Sequence, residues 1–210
     1  MLYNVGKRTI DIIGAIVGII IFSPIMLITA IWIKLVSPEG PVYADIPNRV
    51  GKGDSNFRMF KFRSMIPNAQ KWLEDNPKWL KKYRENSYKL DPDPRLIKGA
   101  KFIRKTSIDE MPQVFNVLMG EMSIVGPRAY FPFELKEQGE RYPKSKKHIE
   151  QVKTIKPGIT GPWQVGGRSE IGFEQRIKMD ADYAKNRSLA YDMIIIIKTP
   201  IAVLMQRGSV

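Results

Sequence analysis

The sequence predicts a mostly α-helical chain with minor β structure: an N-terminal re-entrant helix-hairpin in a membrane, then a compact membrane-associated domain with interfacial amphipathic helices. Three observations carry this. No charged residue falls between Ile12 and Ile33, and Pro24 stands at the middle of that run. Trp72, Leu73, Trp79, Leu80 and Tyr83 recur at helical spacing among lysines. The 210 residues are 43% apolar, enough for a core, yet carry a net charge of +13, which suits a partner bearing phosphates.

The apolar run is flanked by Asp11 and Lys34. About 20 residues cross a bilayer, so its length suffices for a span. A cleaved signal peptide would be shorter and end in small residues, which Trp32-Ile33-Lys34-Leu35 does not. Between a proline-kinked spanning helix and a re-entrant one, the flanks discriminate. Lys7 and Arg8 stand at one end and a strongly basic body follows the other. Basic flanks prefer the cytoplasm, and one span cannot put both there. A helix that bends at Ser23-Pro24 and returns satisfies both. The expected anchor is therefore 1–36, with 37–210 as the cytosol-facing domain.

Within that domain, Ser37 to Pro41 reads as a turn. Pro41 to Arg49 and Phe57 to Phe62 read as short strands joined by Gly51-Lys52-Gly53-Asp54. The stripe from Asn68 to Asn86 is cut in two by Pro77, and suits a membrane interface or the protein's own core equally. Asp91 to Arg95 marks a loop, and a helix is expected from about Ile108 to Met119, stopped by Gly120. Residues 126–170, rich in Gly and Pro, read as a compact loop-built region. Met193 to Met205, interrupted by Lys198 and Pro200, reads as a buried or membrane-surface helix.

The chemistry is narrowed by what is missing. The chain has no cysteine, which removes thiolate nucleophiles and Cys-ligated zinc, and its one histidine, His148, lies in a basic surface run. Acid–base or covalent work falls to carboxylates, lysines or hydroxyls. The run Arg104-Lys105-Thr106-Ser107-Ile108-Asp109-Glu110-Met111-Pro112 is the most suggestive. Pro112 suits the first turn of a helix, which sets Asp109 and Glu110 at a helix start, where negative charge is favoured. An ionised carboxylate there can attack phosphorus or hold Mg²⁺. Ser107-x-x-Glu110 is equally a capping-box pattern. Arg128, on the Gly126-Pro127 turn, and Arg104 can aim planar forks at phosphate, or be plain ion-pair residues.

These residues resemble the monotopic phosphoglycosyl transferases, bacterial sugar transferases that start glycoconjugate assembly on undecaprenyl phosphate. The resemblance runs from Lys7-Arg8-Thr9-Ile10-Asp11 to about Leu204. It includes Phe60-Lys61-Phe62-Arg63-Ser64-Met65, Asp93-Pro94-Arg95, the long run from Phe102 to Leu118, Lys156 to Gly161, and Gly167-Arg168-Ser169. It implies Asp109 as nucleophile, Glu110 as the Mg²⁺-associated carboxylate, Arg104 and Arg128 as phosphate grips, and Ser23-Pro24 as the bend. Lys61 and Asp180 match positions in or near the family's active site, and the loop at Gly167-Arg168 a nucleotide contact. The family often reads Pro-Arg-Pro where this chain has Pro127-Arg128-Ala129.

The implied reaction moves sugar-1-phosphate from a UDP-sugar to polyprenyl phosphate and releases UMP. It is ping-pong, through a phosphosugar-aspartyl adduct, at the cytoplasmic face of the bacterial inner membrane, as the first membrane step of capsule, O-antigen or exopolysaccharide synthesis. The reading requires Asp109 to be reachable near the lipid headgroups. Galactose, glucose and N-acetylated sugars all fit, and a homodimer is compatible. The competing reading is a non-catalytic, membrane-anchored basic module that binds anionic lipid; nucleic acid fits poorly, because the aromatics lie near apolar stretches rather than in the basic runs.

Overall fold

A computed structural model describes residues 2–85, 90–167 and 171–204. Helix α1 (Leu2–Val36) leads, followed by a two-stranded antiparallel ribbon, β1 (Arg49–Val50) and β2 (Asn56–Phe57). Helices α2 (Ala69–Glu74), α3 (Pro77–Glu85) and α4 (Ala100–Lys105) precede a 3₁₀ turn at Ile108–Glu110 and helix α5 (Gln113–Met119). Strand β3 (Ser123–Val125) pairs in parallel with β4 (Gly158–Thr160) across α6 (Pro132–Arg141) and α7 (Lys146–Lys153). Helices α8 (Pro162–Val165), α9 (Phe173–Asn186) and α10 (Leu189–Leu204) finish the chain. The expected class, α with minor β, is what forms.

Helix α1 has two kinds of face. Asp11, Ala15, Gly18, Met26, Thr29 and Ile33 are buried, and Phe22 is partly so. Their spacings of three and four residues draw one continuous stripe down the helix. Ala15 packs with Phe57, Met59, Val117 and Met122, while Met26 and Ile33 pack with Phe62, Ile97 and Ala100. The other faces leave Ile13, Ile16, Ile20, Ile21, Leu27, Ile28 and Leu35 exposed. Only 17% of the helix's most apolar stretch is buried, which sets it apart from the core helix of a water-soluble fold. Among the described residues it is the one helix long and apolar enough to cross a membrane.

The helix does not end at Ser23-Pro24; it continues through Pro24. Proline lacks the N–H that would bond the carbonyl four residues back, Ile20. The Ser23 hydroxyl donates to that same Ile20 oxygen at 3.2 Å. The carbonyl freed by proline thus has a partner inside the helix, as an apolar surround demands. At the N-terminal end Lys7 Nζ lies 3.1 Å from Asp11 Oδ1 and 3.3 Å from Asp192 Oδ2. Asp11 in turn accepts from the Ser123 hydroxyl and the Ile124 amide. One lysine therefore joins α1, β3 and α10.

Several sequence expectations need correction. Strands across 41–49 and 57–62 shrink to two residues each plus an isolated Tyr43–Phe62 bridge. The expected helix from Ile108 is broken at its start. Ser107 takes a left-handed conformation (φ 58°) without a capping bond, and α5 begins only after Pro112. Gly120 does close α5 at φ 81°. The region 126–170 is not loop-built, since α6 and α7 lie within it. Each of those helices buries only two positions, Leu135 with Gly139 and Ile149 with Val152, too few to print a readable period. Pro77 divides the Asn68–Asn86 stripe as expected; Asn86 itself lies outside the described residues. In that stripe Trp72 and Trp79 pack on each other while Leu73 is fully buried.

Lys7→Met leaves Asp11 and Asp192, 3% and 0% exposed, buried without the ion-pair partner they share. Breaking a buried pair in this way costs about 3–5 kcal/mol, which thermal unfolding in detergent will register as a lowered Tm.

Candidate active site

Three short pieces meet at the acidic turn. Residues 60–62 run beside the Ile108–Glu110 turn, and the Phe62 amide donates to the Asp109 carbonyl at 2.8 Å. This backbone bond fixes Lys61 opposite both acids. Its Nζ lies 3.0 Å from Asp109 Oδ2 and 3.1 Å from Glu110 Oε1. The sequence-level contest over Glu110 is resolved: the carboxylate turns to Lys61 rather than closing a capping box. Helix α1 packs directly on the turn, and Phe22, Met111 and Phe115 close the apolar wall beside it.

The two acids differ in setting. Asp109 is 2% exposed, and burial raises its pKa, with Lys61 pulling the other way and Glu110 adding to the rise. Glu110 keeps a 30% exposed side chain. Its pKa ends below the usual value: burial pushes it up, and Lys61, Arg128 and Arg49 outweigh that. Asp109 lies in the 3₁₀ turn ahead of α5 rather than in the helix itself, and among its neighbours the Lys61 ammonium most favours its ionised form. Asp109 is also less open than the sequence reading requires. Lys61 caps Oδ2, and Lys61 and Glu110 are the members of the trio that reach solvent.

The remaining expected residues fall into two groups. Arg104, at the end of α4, is near enough to pull Asp109 and Asp93 down, yet no ion pair within 4.0 Å joins it to Asp109 among the described residues. Arg128 stands on the turn after β3, with its guanidinium 5.5 Å over the Trp163 ring. Asp180 sits one step behind. It is fully buried and accepts from the Arg128 amide at 3.0 Å and the Tyr130 hydroxyl at 2.9 Å. Asp180 is thus a positioning residue for the Arg128 turn. Gly167 follows α8 with φ 135°, and Arg168 lies outside the described residues.

Glycine makes the Arg128 turn rigid. The Gly126 amide donates to Thr160 and the Gly158 amide to Pro127. A Cβ on Gly126 would lie 2.6 Å from the Lys156 carbonyl oxygen, and one on Gly161 would overlap the Gly126 carbonyl. No side chain fits this crossing. With Pro157 seated beside it, Ala129 in place of the family's proline leaves the turn held by the β3–β4 ladder.

Sequence reasoning missed Arg49. It is 8% exposed, donates to the Ala129 carbonyl and lies 3.3 Å over the Phe131 ring. Burial and the charge of Arg128 bring its pKa down to about 9. No motif flagged it, because its meaning comes from β1 lying against residues 129–131, a contact made eighty positions away along the chain.

Known proteins resemble this chain over nearly its whole length. The family model described as bacterial sugar transferase matches residues 2–206. The chain belongs to that family. It is 41% identical over 207 residues to an undecaprenyl-phosphate galactose phosphotransferase of Salmonella typhimurium, covering 97% of this chain and 41% of that protein. It is 38% identical to a UDP-glucose:undecaprenyl-phosphate glucose-1-phosphate transferase of Xanthomonas campestris, covering 99% of this chain and 40% of that one. The exopolysaccharide production protein ExoY of Sinorhizobium fredii is 35% identical, with 98% of this chain and 88% of that protein covered. The chain thus spans about two fifths of the length of the first two relatives.

Asp180 supplies a test of the site's scaffold. Burial lifts its folded pKa from 3.8 to about 7. A raised carboxyl pKa favours the protonated fold, so its contribution is present below about pH 4 and lost as pH rises through 7. Asp180→Asn keeps an acceptor oxygen without the charge. Its Tm should gain on the parent between pH 5 and 8, by up to on the order of 4 kcal/mol in stability; a difference independent of pH contradicts the buried carboxyl.

Proposed function

We propose that this bacterial sugar transferase moves sugar-1-phosphate from a UDP-sugar to polyprenyl phosphate, with Asp109 as a covalent nucleophile. The observation that carries this is the Lys61–Asp109–Glu110 trio, a carboxylate pair held by one ammonium and flanked by Arg104 and Arg128. The relatives named for undecaprenyl-phosphate sugar phosphate transfer support the substrate class.

In the first half-reaction an Asp109 oxygen attacks the sugar-bearing β-phosphorus. The bond from that phosphorus to the oxygen of the α-phosphate breaks, and UMP leaves with the electron pair. In the second, a phosphate oxygen of the lipid attacks the same phosphorus, the aspartyl–phosphorus bond breaks, and Asp109 regains its carboxylate. One site thereby serves a soluble donor and a membrane-bound acceptor in turn. Lys61 opposes the burial that raises the Asp109 pKa and, by turning its ammonium to the incoming phosphate, uncovers Oδ2. Arg104 and Arg128 take the spreading phosphoryl charge.

The donor set fits Mg²⁺ in a limited way. Glu110 is a partly exposed hard oxygen ligand, and no cluster of three acidic or histidine side chains exists among the described residues. A cation held there by Glu110 would draw its other ligands from substrate phosphates and water, as Mg²⁺ commonly does. When bound it supplies charge neutralisation of the diphosphate.

The membrane reading belongs to the same proposal. Helix α1 buries one face against the domain from Asp11 to Ile33, and Lys34 still reaches back to the Gly40 carbonyl. A helix tied at both ends to one domain suits re-entrant insertion from a single face, with Ser23-Pro24 at its deepest point. That face is the cytoplasmic side of the inner membrane, where nucleotide sugars are available. Residues 1–36 act as the anchor and 37–210 as the catalytic domain.

Given UDP-sugar without lipid, the protein should release about one UMP per site in a burst. Asp109→Asn should lose it, and a full burst from that variant excludes Asp109 as nucleophile. In Lys61→Gln, burial and Glu110 act on Asp109 with only Arg104 opposing them, so the acidic limb of UMP release should move to higher pH. A panel of UDP-sugars in the same assay identifies the donor.

A further inference from the structure

We propose that Arg49 binds a phosphate group together with Arg128, forming an anion subsite beside Glu110. This rests on the proposed reaction for the identity of the anion, and on the structure for its existence.

Buried polar atoms normally have partners, so those that lack one ask for a missing group. Among the described residues, the buried side-chain atoms without a partner are Arg49 Nε, Arg128 Nε, Trp163 Nε1, Arg176 Nε and Asp180 Oδ1. Four of the five are N–H donors, and all five flank one turn, residues 127–131. Arg49 bonds the Ala129 carbonyl and lies on Phe131. Trp163 lies under Arg128, Arg176 lies 5.8 Å over Tyr130, and Asp180 holds the Arg128 amide.

The charges on the turn are unbalanced in the same sense. Among the described residues neither Arg49 nor Arg128 has a carboxylate within 4.0 Å, whereas Arg176 has Glu134 at 3.2 Å. Arg49 and Arg128 feel each other as like charges, and both act on Glu110. Glu134 and Glu110 act on Arg49 only from beyond ion-pair distance, and two like guanidiniums held together gain from an anion that joins them directly. A structural task for Arg49 engages one donor, Nη1 to Ala129, and leaves its Nε aimed at nothing. Planar forks with spare N–H groups fit phosphoryl oxygens, and the neighbouring acid Glu110 places the subsite on the reacting side of the turn.

The phosphate has two possible sources, the nucleotide sugar and the lipid carrier, and the test separates them. Arg49→Gln and Arg49→Lys are made in the full chain in detergent. Binding of UMP and of inorganic pyrophosphate is measured by calorimetry, and KM is measured for UDP-sugar and for polyprenyl phosphate. Arg49→Gln should weaken one source by about tenfold or more, with partial rescue in Arg49→Lys. Loss of UMP binding with a raised UDP-sugar KM assigns the nucleotide. Unchanged UMP and pyrophosphate binding with a raised polyprenyl phosphate KM assigns the lipid. If Arg49→Gln binds UMP and pyrophosphate within about twofold of the parent, and neither KM moves, the subsite does not exist, even should Tm fall. If the parent turns over no UDP-sugar, the proposed reaction fails alone. Weakened pyrophosphate binding in Arg49→Gln then still upholds the subsite, and unchanged binding overturns it.

Discussion

The structure depends on one ammonium between two carboxylates. Taking a carboxylate out of water costs several kcal/mol, and Asp109 and Glu110 stand next to each other in sequence. Lys61 makes that pairing tolerable by contacting both. Its own placement follows from the backbone: the Phe62 amide binds the Asp109 carbonyl, and the Phe62 ring sits in the apolar cluster built on Met26 and Ile33 of α1. Helix α1 and the acidic turn therefore share one piece of core. A change in how α1 seats against the domain is felt at Asp109 through two residues.

Around this centre the basic residues divide their work. Lys61 spends its charge on the resting acids, while Arg49 and Arg128 stand buried or half-buried without an ion pair among the described residues. On the proposed reaction, the first arrangement holds the nucleophile quiet and the second receives negative charge. The net charge of +13 is the bulk expression of this surplus, although most lysines are solvated surface residues with no part in it.

What could be read from the sequence was whatever a short window contains. The uncharged run from Ile12 to Ile33, the break at Pro77 and the stop at Gly120 are local statements, and each appears in the fold. The acidic pair was legible because its members are adjacent, and Lys61 through its motif. The start of α5 was not, because Ser107 adopts a left-handed backbone that only tertiary packing sustains. Helices α6 and α7 were missed for want of apolar positions, not for want of helix formers. Arg49 was invisible for a further reason: its significance is a buried Nε that lacks a partner among the described residues, and such a lack exists only in three dimensions.

The glycine crossing under Arg128 has a practical consequence for anyone wishing to retune this catalyst. Where strands approach until no methyl group can be admitted, the main chain ceases to be a design variable. Retuning must then be sought by exchanging side chains that project from the turn, or by changing the buried acid that grips it, since inserting or substituting within Gly126, Gly158 or Gly161 would dismantle the ladder before it redirected anything.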